Sequence, residues 1–215
     1  MEAPPPEPFE TLRHDEGFVR LDAHLARLAR SCGYLGIGFS PRAARERLLA
    51  AAAELRGPAR VRLQVTRSGD LLVTTAPLPV EAPEPVLVGV ALERCDERDP
   101  LRRHKTTARA LYDLATARAA AAGLADVVFL NRLGAVAEGA ISNVFARRGA
   151  ELVTPPTSAG ALPGVLRGEL IATGACREGE LSLADLEAGE FYLGNSLRGL
   201  RRAVLAPGLV RVVDG

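Results

Sequence analysis

Residues 103–113 read RHKTTARALYD, and this stretch contains Lys105, the only lysine in a chain of 215 residues. The remaining 26 of the 27 basic residues are arginines. An arginine keeps its proton near neutral pH, whereas a desolvated lysine amine can lose it and act as a nucleophile or general base. Chance survival of one lysine explains the composition equally well, so the surrounding motifs have to decide between the two interpretations.

The composition limits the classes of function that the chain can have. Hydrophobic residues make up 47% of it, which suffices for a real core, and no apolar run approaches the ~20 residues of a membrane span. The start, MEAPPPEPFE, lacks the regions of a signal peptide, so we expect a cytoplasmic enzyme with no membrane partner. A net charge of +1 argues against nucleic-acid binding. Three scattered cysteines and three scattered histidines predict neither a disulfide framework nor a metal site.

Proline-rich segments predict the domain organisation. Residues 1–8 should form a disordered tail, because proline and glutamate dominate them. Residues 77–85, PLPVEAPEP, should be an interdomain linker, since four prolines in nine positions exclude a helix or a central strand. We therefore expect a small N-terminal α/β domain at residues 9–76 and a larger domain at residues 86–215 that carries Lys105.

Apolar periodicity and turn residues predict an alternation of helices and strands. Helices are expected from residue 21 to about 32, 41 to about 55, 106 to about 122, from 163 or 164 onward, and near 183–186. The expected strands include a hairpin at 60–66 and 71–76, a strand at 86–92, a buried strand at 126–131 and a pair broken at Gly139. The pattern indicates a mixed α+β protein.

Three features suggest a cofactor. The loop LPGVLR leads into a predicted helix whose first N–H groups could bind a phosphate, Glu138 lies at the strand break, and Lys105 could form an imine. The chain has neither GxxxxGK[ST] nor GxGxxG, so nucleotide binding is not expected. A phosphate site, a lysine and a carboxylate together suggest pyridoxal 5′-phosphate.

Five motifs in one order resemble the class IV aminotransferases, the fold type IV pyridoxal-phosphate enzymes. The resemblance runs from about Phe9 to Val204, and its motifs are HLARL (24–28), HKTTARALYD (104–113), LNRLGAVAEGAISNVFA (130–146), LVTPPTSAGALPGVLR (152–167) and LGNSLRG (193–199). It implies a two-domain architecture like that of D-amino-acid aminotransferase, with pyridoxal 5′-phosphate in a cleft. It also implies a homodimer.

The resemblance implies a role for each matching residue. Lys105 would link covalently to the cofactor and, once displaced by substrate, move the substrate proton, while Glu138 would pair with the pyridine nitrogen. The cofactor phosphate would be bound by the Arg27 side chain, the backbone N–H groups of Val165 and Leu166, and Ser196. Family members often have threonine at the position of Leu166, so one side-chain contact is expected to be missing. Substrate contacts are assigned to Arg109 and Asn195.

The resemblance leaves the reaction open between two branches of the family. Arg109, four residues after the lysine, and the segment FETLR favour 4-amino-4-deoxychorismate lyase, which releases pyruvate and leaves 4-aminobenzoate for folate synthesis. The alternative is an aminotransferase acting on branched-chain or D-amino acids, and a further one is a catalytically silent cofactor-binding homologue. Only eight residues precede Phe9, where family members carry a further strand, so the substrate pocket is expected to differ.

Overall fold

The computed structural model describes residues 4–212, which divide into two compact units. Unit 1 contains the described residues up to Val80 together with His104–Ala108, and unit 2 contains Glu81–Arg103 and the described residues from Arg109 onward. The division between Val80 and Glu81 lies inside the proline-rich stretch 77–85. The sequence assigned Lys105 to the C-terminal domain, whereas its contacts group it with unit 1.

Unit 1 is a three-stranded antiparallel sheet with two helices. Its sheet has the order β1-β2-β3, and α1 and α2 follow β1 in the chain. The bounds are β1 Phe9–His14, α1 Leu21–Tyr34, α2 Pro41–Ala52, β2 Ala59–Val65 and β3 Leu71–Pro77. The predicted first two helices and the hairpin are thus confirmed, while β1 was not assigned as a strand from the sequence.

The core of unit 1 follows from the two periodicities of the sequence. In β2 every second side chain is buried, and in α1 the apolar residues three or four positions apart face the sheet. Helix α2 begins at Pro41 behind Ser40, whose hydroxyl accepts a hydrogen bond from the Ala43 N–H at 3.3 Å. The buried cluster includes Leu12, Leu25, Leu28, Cys32, Leu48, Val61, Leu63 and Val65.

The predicted tail 1–8 is in part bound to unit 1. Glu7 exchanges hydrogen bonds with Thr107, and Pro8 accepts one from the Val65 N–H at 2.9 Å. Order in unit 1 therefore begins by Glu7, two residues earlier than Phe9. Residues 1–3 of the predicted tail lie outside the described residues.

Unit 2 is built on an eight-stranded mixed sheet of order β6-β5-β4-β11-β10-β7-β8-β9. Its helices are α3 Ala110–Ala121, α4 Val165–Ala172 and α5 Leu183–Ala188. Its strands are β4 Val86–Cys95, β5 Asp126–Asn131, β6 Val136–Gly139, β7 Asn143–Arg148, β8 Glu151–Thr154, β9 Arg177–Glu178, β10 Phe191–Asn195 and β11 Gly199–Val210. The mixed α+β architecture predicted from the sequence is confirmed.

Burial in this sheet is complete at β5, as its apolar run predicts, while β4 is buried at six of its ten residues. Strand β4 pairs in parallel with β5 on one side and β11 on the other, and all six residues of β5 are buried. Strand β6 turns directly into β7, where the Gly139 N–H donates to the Ser142 carbonyl at 2.7 Å. Because β6 is at one edge of the sheet and β7 is sixth in the strand order, this direct connection requires the sheet to curl. The turn between β6 and β7 lies next to Glu138.

Helix α3 begins four residues later than predicted. The sequence predicts a helix from Thr106, but the segment before Ala110 is held by backbone bonds to the chain around β1. The Phe9 N–H donates to the Lys105 carbonyl at 2.9 Å, and the Thr107 N–H donates to the Glu7 carbonyl at 2.9 Å. These bonds satisfy the backbone in an extended conformation, so local helix propensity does not prevail.

Within residues 4–212, no helix combines the length and the apolar character that crossing a membrane requires.

Candidate active site

Glu138 is the best-anchored of the predicted site residues. It lies in β6, directly before Gly139, and its side chain is 9% exposed. One carboxylate oxygen, Oε1, accepts hydrogen bonds from the Tyr112 hydroxyl at 2.7 Å and from Arg102 Nη2 at 3.0 Å. The other, Oε2, accepts one from the Leu162 N–H at 2.8 Å. Three donors therefore fix the orientation of a carboxylate that is almost completely buried.

The loop that provides Leu162 leads into helix α4, which begins at Val165, one or two residues after the predicted start at 163 or 164. Asn143 Nδ2 donates to the Leu162 carbonyl at 2.9 Å, so the turn beside Glu138 also holds this loop. A Cβ atom added at Gly164, the residue before the helix, would overlap Asn143 Oδ1. Glycine is thus required here for steric reasons, and it lets the helix start approach the turn closely.

The first N–H groups of α4 have no carbonyl partner within the helix and form a potential anion site. Arg167, in the first turn, is 4% exposed, and its Nε atom has no hydrogen-bond partner among the described residues. A Cβ at Gly194 would lie 3.3 Å from Leu166, so the end of β10 runs beside the start of α4. Ser196, which is 8% exposed, follows two residues later.

The NSLRG segment forms a turn that Asn195 organises. Asn195 Oδ1 accepts the N–H groups of Leu197 and Arg198 at 3.0 and 2.9 Å, and Nδ2 donates to the Ile141 carbonyl at 3.1 Å. The Asn195 side chain thereby fixes the turn that presents Ser196. These bonds show a structural role for Asn195, whereas its predicted contact with substrate stays a prediction.

Asp126 accepts hydrogen bonds from the turn between β6 and β7. It is 2% exposed, and its Oδ1 atom accepts the N–H groups of Val127 at 2.8 Å and Ala140 at 2.9 Å. Burial raises the pKa of Asp126 to about 6, and these hydrogen bonds oppose the rise. A Cβ at Gly139 would lie 2.6 Å from Asp126 Oδ2, which explains the glycine beside Glu138.

Arg27 lies in unit 1, buried in an ion pair with Glu10. Arg27 Nε donates to Glu10 Oε1 at 2.7 Å and Nη2 donates to Oε2 at 2.6 Å, and His24 Nδ1 lies 2.7 Å from the same Oε2. Burial alone would raise the pKa of Glu10, but the Arg27 guanidinium and the His24 hydrogen bond lower it to about 2. Glu10 therefore holds the planar guanidinium in one orientation.

Lys105 lies in the same unit, in the segment that joins β1. Its Nζ atom is 4.7 Å from the centroid of the Phe9 ring, and its carbonyl accepts the Phe9 N–H. Phe9 and Glu10 are adjacent on β1, so this strand supports the segments of both Lys105 and Arg27. Stacking of His104 on Tyr34, with ring centroids 4.2 Å apart, fixes the backbone just before the lysine.

Arg109 does not lie on a helix shared with Lys105, because α3 begins at Ala110. Its Nε atom donates to Asp113 at 2.7 Å and its Nη2 atom to the Ala140 carbonyl at 3.2 Å. The side chain therefore ties α3 to the turn after Glu138. Contact with a substrate anion stays a prediction.

Three residues of these networks were missed as functional candidates in the sequence. Tyr112 contacts Phe129 edge to face, and its hydroxyl also donates to Glu138. Arg102 lies in an arginine-rich stretch that resembles ordinary surface charge, and only burial distinguishes it. Glu10 belongs to the FETLR segment, and its position next to Phe9 in that segment was the sequence feature that could have identified it.

Each unit, taken by itself, contains groups whose chemistry suits a phosphate-bearing pyridine cofactor. Unit 2 provides an anion site at the start of α4, beside the turn of Ser196, and a buried carboxylate in Glu138. Unit 1 provides the amine of Lys105 and the guanidinium of Arg27. Each group has the chemistry that one part of pyridoxal 5′-phosphate requires, namely its phosphate, its ring nitrogen and its aldehyde.

Comparisons with known proteins point in the same direction. A family model for class IV amino-transferases matches residues 8–205. A Schizosaccharomyces pombe protein, provisionally named an aminodeoxychorismate lyase, is 32% identical over 206 residues, which cover 92% of this chain and 88% of that protein.

Two solved structures resemble this chain over most of its length. A protein from Mesorhizobium loti, provisionally named an amino-acid aminotransferase, is 38% identical with a TM-score of 0.88, and the match covers 94% of this chain and all of that one. The 4-amino-4-deoxychorismate lyase from Pseudomonas aeruginosa is 27% identical with a TM-score of 0.78, and the match covers 97% of this chain and 86% of that one.

Proposed function

Because the chain belongs to the class IV aminotransferase family, whose members are pyridoxal-phosphate enzymes, we propose that it is a 4-amino-4-deoxychorismate lyase dependent on pyridoxal 5′-phosphate. The observation that carries the cofactor assignment is the anchored carboxylate of Glu138 beside the start of α4. The lyase assignment is supported by the Schizosaccharomyces pombe relative, which is similar over nearly the full length of both chains. Such an enzyme would supply 4-aminobenzoate for folate synthesis.

The residues of unit 2 would bind and orient the cofactor. The N–H groups of Val165 and Leu166 at the start of α4, together with Ser196, would bind its phosphate, because a helix N-terminus favours an anion. By the family resemblance, Arg27 would also bind the phosphate. Glu138 would hold a proton at the ring nitrogen, since a buried carboxylate stabilises an adjacent cation. When bound, the cofactor supplies an aldehyde that captures amines and a ring that withdraws electrons.

Lys105 would carry out the proton transfers. Once free, its amine would be the neutral base that removes the proton from the substrate ring carbon. The bond from the ring to the ether oxygen would then break, its electron pair would leave with the enolate of pyruvate, and a proton added to the enolate carbon would complete pyruvate. The remaining ring is aromatic 4-aminobenzoate.

The test is a pyruvate assay with enzymatically prepared aminodeoxychorismate on protein reconstituted with the cofactor. We expect many equivalents of pyruvate per chain and visible absorbance from the bound cofactor. Lys105→Arg should abolish the absorbance and lower the rate at least about a hundredfold, because arginine keeps its proton. Arg103→Gln, at an exposed position two residues away, is the control and should change neither. A colourless reconstituted wild type would refute the cofactor assignment.

A class IV aminotransferase acting on branched-chain or D-amino acids is the second candidate function. The Mesorhizobium loti protein favours this activity, since its identity of 38% is higher than the 27% of the Pseudomonas aeruginosa lyase and its whole length matches this chain. Visible absorbance without pyruvate release, followed by conversion to the pyridoxamine form with an amino acid, would identify this activity. Absorbance that no substrate changes would identify a catalytically silent homologue.

We also propose that the protein is a homodimer, which the family resemblance supports. Light scattering of the purified protein should give twice the chain mass of 22.7 kDa. A fully active monomer would contradict this proposal without affecting the cofactor assignment.

A further inference from the structure

Arg102 is a charged residue of unit 2 that contacts the Glu138 carboxylate directly, and the proposed reaction leaves it without a role. The two side chains are each only 9% exposed, and Nη2 of Arg102 is 3.0 Å from Oε1 of Glu138. In such a low-exposure environment, water screens their interaction weakly, so a positive charge strongly affects the affinity of a neighbouring group for protons.

Arg102 is also built into the loop that leads to α4. Its Nε atom donates to the Gly160 carbonyl at 2.9 Å, while Nη2 reaches Glu138. Gly160 has a φ angle of 98°, and a Cβ atom there would lie 2.9 Å from Arg102 Nε. The glycine thus provides both the left-handed backbone and the space that the guanidinium occupies. One planar side chain thereby connects the end of β6 with the loop before α4.

Within unit 2, Arg102 is a positively charged side chain in direct contact with the Glu138 carboxylate, and Asp126, beside Gly139, is a second ionisable group near it. Tyr112 is a neutral donor, because burial raises the pKa of its hydroxyl well above the ordinary range. Burial also raises the pKa of the nearby Cys95 thiol to about 11, so this group is neutral as well. Arg109 Cζ is 5.9 Å from the centroid of the Tyr112 ring, and its side chain pairs with Asp113.

We propose that Arg102 is a positioning residue for Glu138 that also weakens the hold of Glu138 on the proton of the cofactor ring nitrogen. The proposal rests on the assignment of pyridoxal 5′-phosphate given above. The hydrogen bonds of Arg102 orient the carboxylate, and its positive charge partly neutralises it. A partly neutralised carboxylate stabilises the protonated ring nitrogen less, so the pKa of that nitrogen is lower than it would be without Arg102. The extent to which the ring withdraws electrons then depends on pH.

Two substitutions separate the charge of Arg102 from its geometry. Arg102→Gln removes the charge, whereas Arg102→Lys keeps the charge but cannot contact Gly160 and Glu138 in the same fork. Arg132→Gln is the matched control, because it removes an arginine of unit 2 whose carboxylate partner, Asp96, lies at the surface.

The measurement is the ¹⁵N chemical shift of cofactor labelled at the ring nitrogen, followed from about pH 6 to about pH 10 in the reconstituted protein, because it reports protonation of that atom and not turnover. We expect a midpoint within this range for wild type and a midpoint higher by about one pH unit or more in Arg102→Gln. Arg102→Lys and Arg132→Gln should keep the wild-type midpoint. Arg102→Lys should still release the cofactor faster on dilution, since its contact with the loop is lost.

Each outcome decides the proposal. An unchanged midpoint in Arg102→Gln would overturn it, and so would a wild-type ring nitrogen that stays protonated across the whole range. If Arg102→Gln fails to fold by circular dichroism, Arg102→Met, which also removes the charge, is titrated in its place with the same expected shift. A wild type that binds no cofactor would instead refute the proposed function, and this failure is visible before any titration.

Discussion

The substitution Glu10→Gln should destabilise unit 1 by about 3 to 5 kcal/mol near neutral pH, because it removes the carboxylate from a buried ion pair. Glu10 is 1% exposed and accepts two hydrogen bonds from Arg27, whose own side chain is 6% exposed. The amide of glutamine could accept one of these bonds, but it carries no charge to balance the guanidinium. The cost is therefore mainly that of a buried positive charge.

The stabilisation that Glu10 provides should depend on pH. The pKa of Glu10 is about 2 in the folded protein, against an ordinary value of 4.5, and the difference corresponds to about 3 kcal/mol of stability. Because the folded-state pKa is the lower one, this contribution is complete above pH 4.5 and is lost as the pH falls towards 2. Glutamine does not titrate, so the stability difference between wild type and Glu10→Gln should narrow through that window.

The assay is chemical denaturation followed by circular dichroism at several pH values from about 3 to about 7. Glu46→Gln is the control, because Glu46 pairs with Arg42 on the exposed face of α2 and its side chain is 62% exposed. The control should change stability by less than about 1 kcal/mol. A loss in Glu10→Gln that stays constant with pH, or no loss at all, would refute the reasoning from the ion pair.

Two further predictions concern unit 2. Gly164→Ala should weaken cofactor binding at least about tenfold, because the added methyl group displaces Asn143 from the loop before α4. Gly168→Ala is the control and should leave the affinity unchanged, because a Cβ at Gly168 in α4 meets open space. Titration of each variant with the cofactor measures the affinity. Asp126→Asn should alter pH dependence in the opposite sense to Glu10→Gln. The folded-state pKa of Asp126 is raised from 3.8 to about 6, so wild type should lose stability relative to the variant as the pH rises through that interval, as denaturation at several pH values would show.

Much of the fold could be predicted because the sequence alternates on the periods of helices and strands. The hairpin of β2 and β3 and the buried strand β5 follow from local pattern and turn residues alone. The start of α3 could not be predicted in this way. Its extended lead-in depends on hydrogen bonds to Glu7 and Phe9, about a hundred residues away in the chain, and local propensity contains no information about them.

Some residues of the candidate site could likewise be predicted from the sequence, and others could not. Lys105 and Glu138 stand out in the sequence, because one is a unique residue type and the other lies at a strand break. Their partners do not stand out, since Arg102 is one arginine among 26 and Glu10 one acid among 26 acidic residues. What distinguishes these partners is burial beside an opposite charge, and only the tertiary structure determines that.

The contacts of Glu138 determine which substitution is informative. Its Oε2 atom accepts the Leu162 N–H, so removing the carboxylate would release the loop before α4 together with any bond to a cofactor. Loss of activity in a Glu138 variant would therefore not distinguish chemistry from a misplaced phosphate site. Arg102 contacts Oε1 instead, so its replacement removes no donor from Oε2, although it removes the bond to the Gly160 carbonyl in the same loop. Arg102→Gln thus removes the positive charge beside the carboxylate without deleting the Leu162 donor, and Arg102→Lys, which keeps the charge, reports the effect of the lost loop contact.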